Sequence, residues 1–219
     1  CAGVLSERAG HPGASLTGAM IGGGTMDGVP VDSLNGGALG GFRNRIINGG
    51  FDFWQRGSVF TSFNVMAADR WFLGTALAPS GLTVTREAFT PGQTAVPGEP
   101  RYYIRIAQSD NNTILRQEIE DVRTFAGTRI TCSLWIRADV PYVASFHLAQ
   151  DFGAGGSPDV GFFSDSIAVT TEWQKIERTL NVASIVGKTV GDDSAMSFRL
   201  AMTGSVATDI ANVQLEEGP

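Results

Sequence analysis

Two histidines, two cysteines and a scatter of aspartates are the residues with which this chain would have to do covalent or metal chemistry. Nucleophilic catalysis needs a serine or cysteine beside an imidazole base. The chain has no Gly-x-Ser-x-Gly elbow, His11 lies in a glycine-rich leader, and His147 takes an alternate position on a predicted strand, as a packed or surface histidine would. A zinc site needs three or four ligands at short spacing, and the two histidines are far apart. Cys1 at the chain start and Cys132 in an apolar stretch make neither a disulfide framework nor a metal site. Cys1-Ala2-Gly3 fits the acylated mature end of a bacterial lipoprotein, and equally a chain numbered from partway along a longer polypeptide. The glycine runs lack both the dinucleotide fingerprint and the phosphate-binding loop with its lysine. Carboxylates remain. Asp151, Asp159 and Asp165 surround a glycine-rich loop, 153–161, that can rim a groove, either as solvated loop acids or as a glycoside-cleaving pair. Asp52 and Asp209 lie near the two ends of the β-rich region, where terminal strands often pair, and are candidates to share one calcium ion.

The elements that must position these groups read as strands. Leu82-Thr83-Val84-Thr85-Arg86 alternates apolar and polar residues, and Ile130, Cys132, Leu134 and Ile136 share one face of the run 130–136. Further strands are predicted over 102–107, 114–119, 142–148, 166–169, 174–182, 197–202 and 210–215, with Asp110-Asn111-Asn112 as turn chemistry between two of them. No stretch carries a convincing helical stripe, and 117–125 reads as a strand end plus a turn. About ten short strands separated by Gly, Pro, Asn and Asp predict an all-β fold, a two-sheet sandwich over 45–219. Of the 28 glycines, 14 fall in residues 1–50, among isolated apolar residues of no sustained period. Such a segment buries too little surface to offset the entropy of ordering it, which predicts an extended arm over 1–44.

Composition excludes whole classes of function. With 219 residues and 42% hydrophobic content the chain can bury a sizeable core, yet no apolar run approaches the roughly 20 residues of a transmembrane helix. A net charge of -6 argues against nucleic acid, whose binders present a basic face to the phosphates. Of the 16 basic residues 14 are arginine, whose planar fork suits ion pairs, aromatic stacking and glycan hydroxyls; a GC-rich genome gives the same bias.

One constellation is more specific. Asn44-Arg45-Ile46-Ile47-Asn48-Gly49-Gly50-Phe51-Asp52-Phe53-Trp54-Gln55-Arg56-Gly57 precedes Ala68-Asp69-Arg70-Trp71, and the chain closes on Val213-Gln214-Leu215-Glu216-Glu217-Gly218. Over 45–219 this combination resembles the carbohydrate-binding-module-like jelly-roll domains of fibre, spike and tail proteins of tailed bacteriophages and related prophage elements. The resemblance implies a jelly-roll β-sandwich behind the glycine-rich arm. It also implies a virion fibre or spike component, on head or tail, that attaches to host surface polysaccharide. Residues 1–44 then anchor it to a capsid or tail protein, and a homotrimer at the virion surface is the implied assembly. Such a protein adheres and does no chemistry. A purely structural fibre or adaptor domain, and a glycan-degrading enzyme or its binding appendage, are the alternatives.

Within the motif, Phe51, Phe53 and Trp71 are expected in the core. Asp69 beside Arg70, with Arg56 upstream, is expected to make a bidentate ion pair that fastens the first strand to the third, and Asn48 belongs to the same structural signature. Trp54, Gln55 and Arg56 can instead form a sugar platform, an aromatic face flanked by hydrogen-bonding forks. Exposed aromatics for a glycan site are sought in Trp173, Tyr102, Tyr103, Tyr142 and the Phe162-Phe163 pair, the last beside Asp159 and Asp165. One of two adjacent strand aromatics normally faces the core.

Overall fold

The alternation read in 130–136 continues in both directions. In β9 (Arg129–Ala138) Ile130, Cys132, Leu134 and Ile136 are buried, while Thr131, Trp135 and Arg137 reach the surface. A computed structural model describes residues 44–74, 80–109 and 112–218, together with a short antiparallel pair, β1 (Ser33–Leu34) and β2 (Gly37–Ala38). The chain divides into two units, Cys1–Asp32 and Ser33–Pro219. The first lies outside the described residues, and so does most of the arm expected over 1–44.

Two six-stranded antiparallel sheets form the body. The first runs β11 (Val160–Val169), β10 (Tyr142–Asp151), β13 (Ala195–Thr203), β8 (Asn112–Ile119), β5 (Phe72–Gly74), β4 (Val65–Met66). The second runs β12 (Gln174–Asn181), β9, β14 (Val206–Glu217), β7 (Tyr102–Gln108), β6 (Thr83–Ala88), β3 (Val59–Phe60). From β7 onward the chain repeatedly crosses from one sheet to the other, the winding of a jelly-roll sandwich. There is no helix among the described residues, and none is long and apolar enough to cross a membrane.

A line of rings ties the opening motif to the inner face of the first sheet. Trp71 packs on Phe51 at 5.3 Å and edge-on to Phe198 at 5.7 Å; Phe198 meets Phe146 at 5.2 Å, and Phe146 meets Phe163 at 5.4 Å. Offset and edge-to-face pairs of this kind add to the area they bury. Cys132 lies in the same interior, where burial pushes its thiol up and leaves it an inert apolar filler.

The closing strand is bent to receive the opening motif. The register of β14 against β9 shifts between Ala211 and Gln214, with Asn212 at φ 48°. At that bulge Val213 donates to the Gly49 carbonyl at 3.0 Å, and a Cβ on Gly49 would stand 2.1 Å from the Val213 oxygen. Only glycine lets the two backbones approach so closely. The Asn44 side chain seals the same seam, its Oδ1 accepting from Ile46 and Leu215 at 3.0 and 2.9 Å.

Candidate functional site

The opening motif is a knot of backbone hydrogen bonds. Asn48 sits at φ 57°, a left-handed conformation that asparagine tolerates. Its Nδ2 donates to the carbonyls of Phe53 (2.9 Å) and Asp69 (3.0 Å), and its Oδ1 accepts from the Phe53 amide (3.0 Å). The Asn48 carbonyl in turn accepts from Trp71 Nε1 at 2.9 Å. Gln117 on β8 holds the neighbouring Ile47 by both backbone groups, at 2.7 and 2.9 Å. Phe51 and Trp71 lie in the core. Phe53 corrects its expectation: the turn at Phe51 (φ 56°) breaks the alternation, and the Phe53 ring is 64% exposed.

Trp54 also departs from the sugar-platform alternative. It is 8% exposed, with Nε1 donating to the Phe51 carbonyl at 2.7 Å, so its face is not offered to a ligand. Gln55 and Arg56 are exposed beside it, and Arg56 reaches Asp69 through a single 3.4 Å contact. Arg70 pairs with Glu120 at 3.1 Å instead of joining them, so no bidentate pair links Asp69, Arg70 and Arg56.

The calcium expected at Asp52 and Asp209 has no donor set. Asp209 on β14 lies between β7 and β9 and is 3% exposed at its side chain. Arg105 donates to it through Nε (2.7 Å) and Nη2 (2.8 Å), and Arg137 through Nε (2.9 Å). Two guanidiniums on one carboxylate do the neutralising that a cation would, and repel one. The hydrogen bond to Asp209 holds the Arg105 guanidinium above its ordinary range. Asp52 is exposed and is not a partner of Asp209, and no cluster of three or more potential ligands occurs among the described residues.

Trp173 belongs to the same outer face of the second sheet. Its ring meets Phe89 at 5.4 Å and Tyr103 at 5.5 Å, and the Arg137 guanidinium lies 5.0 Å from its centre. Tyr103 is buried there, which raises its phenol pKa, with the Asp209 charge adding to the effect. Tyr142 is half-buried, its hydroxyl 2.8 Å from Thr208. Asp165 stands at the sandwich edge, where Arg178 of β12 donates to it at 2.6 Å and holds its carboxyl below the usual range. A general acid needs the opposite shift. Asp151 is tied to the amide of Gly153 at 2.8 Å.

The sequence-predicted residues that do come together, Asp159, Phe162 and part of Phe163, do so on the outward face of the first sheet. They flank a groove of about 600 Å³ that crosses β11, β10, β13 and β8. Its floor is small, Ala149, Gly161 and Ala201, and its polar groups are His147, Ser164 and Arg199. Phe162 is the extra residue at a register shift in β11: Phe163 pairs with Leu148 and Gly161 with Ala149. The shift turns Phe163 in against Phe146 and leaves Phe162 at the groove. A second hollow, lined by Asn64, Phe72, Gly74 and Arg116, shares Ile114 and Arg199 with the first and carries the depression on to β5. Adjacent strands lie about 4.8 Å apart, so the five strands β11 to β5 span about 19 Å. His147, Arg199, Arg116 and Phe72 form one row across this face, each the register partner of the next.

No protein-family model matches the chain, and no curated protein matches it. Among solved structures it is similar to one described as "CBM4 structure and function", with 16% identity over 78% of this chain and 99% of that one and a TM-score of 0.50. It is similar to the enzymatically active domain of bacteriophage CBA120 tailspike protein 4, with 14% identity over 80% of this chain and a TM-score of 0.52; the match spans 22% of that chain. It is also similar to the Stig cyclase Fisc from Fischerella sp. TAU, in complex with an indole compound, with 15% identity over 80% and 96% of the two chains and a TM-score of 0.54. What these share with the chain is a fold, and that fold is the all-β, two-sheet jelly-roll sandwich on which a carbohydrate-binding module is also built.

Proposed function

We propose that this chain is a virion fibre or spike component whose jelly-roll domain attaches to host surface glycans through the groove on the first sheet. The groove's composition carries the reading: a small-residue floor long enough for several sugar rings, an aromatic edge at the β11 end, and hydrogen-bonding groups along it. A sugar lays its C–H face on the Phe162 ring, and its hydroxyls bond to Asp159, His147 and Ser164. Single sites of this open kind bind weakly, and a fibre displaying many copies multiplies them. Residues 1–44 supply the anchor to a capsid or tail protein in the same reading, and a homotrimer supplies the copies. Attachment needs no covalent step, so the groove is assigned none.

Filling the groove tests this. Ala201→Trp places a large ring on an outward floor position without touching the core. On an array of bacterial surface polysaccharides the unmodified full chain is expected to bind a subset. Ala201→Trp is expected to weaken that binding by about tenfold or more, with Tm unchanged. Binding that survives the plug moves the site elsewhere. Release of reducing sugar from any bound polymer replaces adhesion with an enzyme.

A further inference from the structure

We propose that the groove takes an acidic glycan, a chain of sugars carrying carboxylates, with a carboxylate gripped between Arg199 and Arg116; the inference rests on the reading of the groove as a glycan site. Strand register supplies the first observation. Arg116 on β8 and Arg199 on β13 are direct partners, and Arg199 is also the partner of His147 on β10. Like charges placed opposite one another on a sheet destabilise it. A sheet that keeps two arginines side by side on an outward face is charged in readiness for an anion.

Their hydrogen bonding supplies the second. Arg199 spends its Nε on Ser197 Oγ at 2.7 Å and has no carboxylate partner among the described residues. Arg116 lies over the Phe72 ring, 4.4 Å from its centre, and comes only within 3.8 Å of Glu118. That carboxylate oxygen already accepts from Ser197 at 3.1 Å. The Arg116 Nε is buried without a partner. Elsewhere in the molecule Arg105, Arg137, Arg178 and Arg123 each hold a carboxylate at 2.9 Å or less. In a chain of net charge -6, these two facing guanidiniums have one carboxylate near them, Glu118, and it comes no closer than 3.8 Å to Arg116. Their planar forks match a carboxylate in geometry as well as charge.

The groove is also polar from end to end. Asp159 stands on the β11 side, three strands across the sheet from Arg116 and several residues away along the strands, where it repels an anion and accepts from hydroxyls. A bound chain therefore places its carboxylate over β13 and β8 and neutral hydroxyls towards β11.

The test uses the full chain and an array in which each acidic oligosaccharide is paired with its carboxyl-reduced twin. The acidic member of at least one pair is expected to bind about tenfold or more tightly than its twin, and added salt is expected to narrow the gap. Arg199→Gln is expected to bring the ratio close to one, and to leave Tm unchanged or raised because the facing charges are relieved. A role in folding alone predicts a lower Tm and an unaltered ratio. Reduced twins that bind as well as their parents overturn the acidic inference and leave the glycan site standing. An array on which neither form of any pair binds overturns both.

Discussion

Asn48→Ala is expected to remove about 4 kcal/mol of folding stability, a large share of the 5–15 kcal/mol typical of a domain. Three side-chain hydrogen bonds disappear, two to carbonyls of Phe53 and Asp69 and one from the Phe53 amide, each worth about 1 kcal/mol. Alanine at φ 57° adds about 1 kcal/mol that asparagine largely escapes. The damage spreads because the Asn48 carbonyl also anchors the Trp71 indole, at the start of the ring line through the core. Asn48→Asp keeps one acceptor but turns a carboxylate oxygen onto the Phe53 and Asp69 carbonyls, so it is expected to cost at least as much as alanine. Urea denaturation reads all three. A loss below about 1 kcal/mol, accompanied by loss of glycan binding, would return the motif to the role of a sugar platform.

Asp209→Ala is expected to cost about 3 kcal/mol. Breaking a buried ion pair strands the surviving charge, and here two guanidiniums are stranded; their partial exposure lets water recover some of the loss. Arg137 also lies between Asp209 and the Trp173 ring, so the aromatic cluster of the second sheet loosens with it. Unlike a calcium site, this centre is indifferent to chelation. Thermal unfolding of the natural chain with EDTA and with added calcium is expected to give one Tm. A chelator-induced drop comparable to that of Asp209→Ala would put a metal back at this position.

Strand content was legible because the core faces alternate cleanly: Leu82 and Val84, or Ile130 through Ile136, announce a period of two, and both are buried as expected. The start of β11 was hidden by its glycine-rich approach, and the strand begins at Val160, six residues before the predicted run. The side taken by Phe162 depends on a register shift, and the exposure of Phe53 on a left-handed turn at Phe51; neither leaves a mark in local composition. Asp159 and Phe162 were within reach of sequence reasoning because aromatic and acidic residues beside a glycine-rich loop suggest a groove rim. Arg116 and Arg199 were not. Each sits unremarkably at an alternate strand position, and only the pairing of β8 with β13, which are far apart in the chain, makes them neighbours. His147 could be placed on a strand from its spacing, yet its place in the same row follows from tertiary pairing alone.

If glycan meets the outward face of the first sheet, amide chemical shifts report that contact residue by residue. A glycan identified by the array is titrated into isotopically labelled full chain. Shifts are expected to cluster at His147, Ala149, Gly161, Arg199 and Ala201, with the indole N–H signals of Trp54 and Trp173 unmoved. Movement centred on either tryptophan, with the groove residues still, would contradict it.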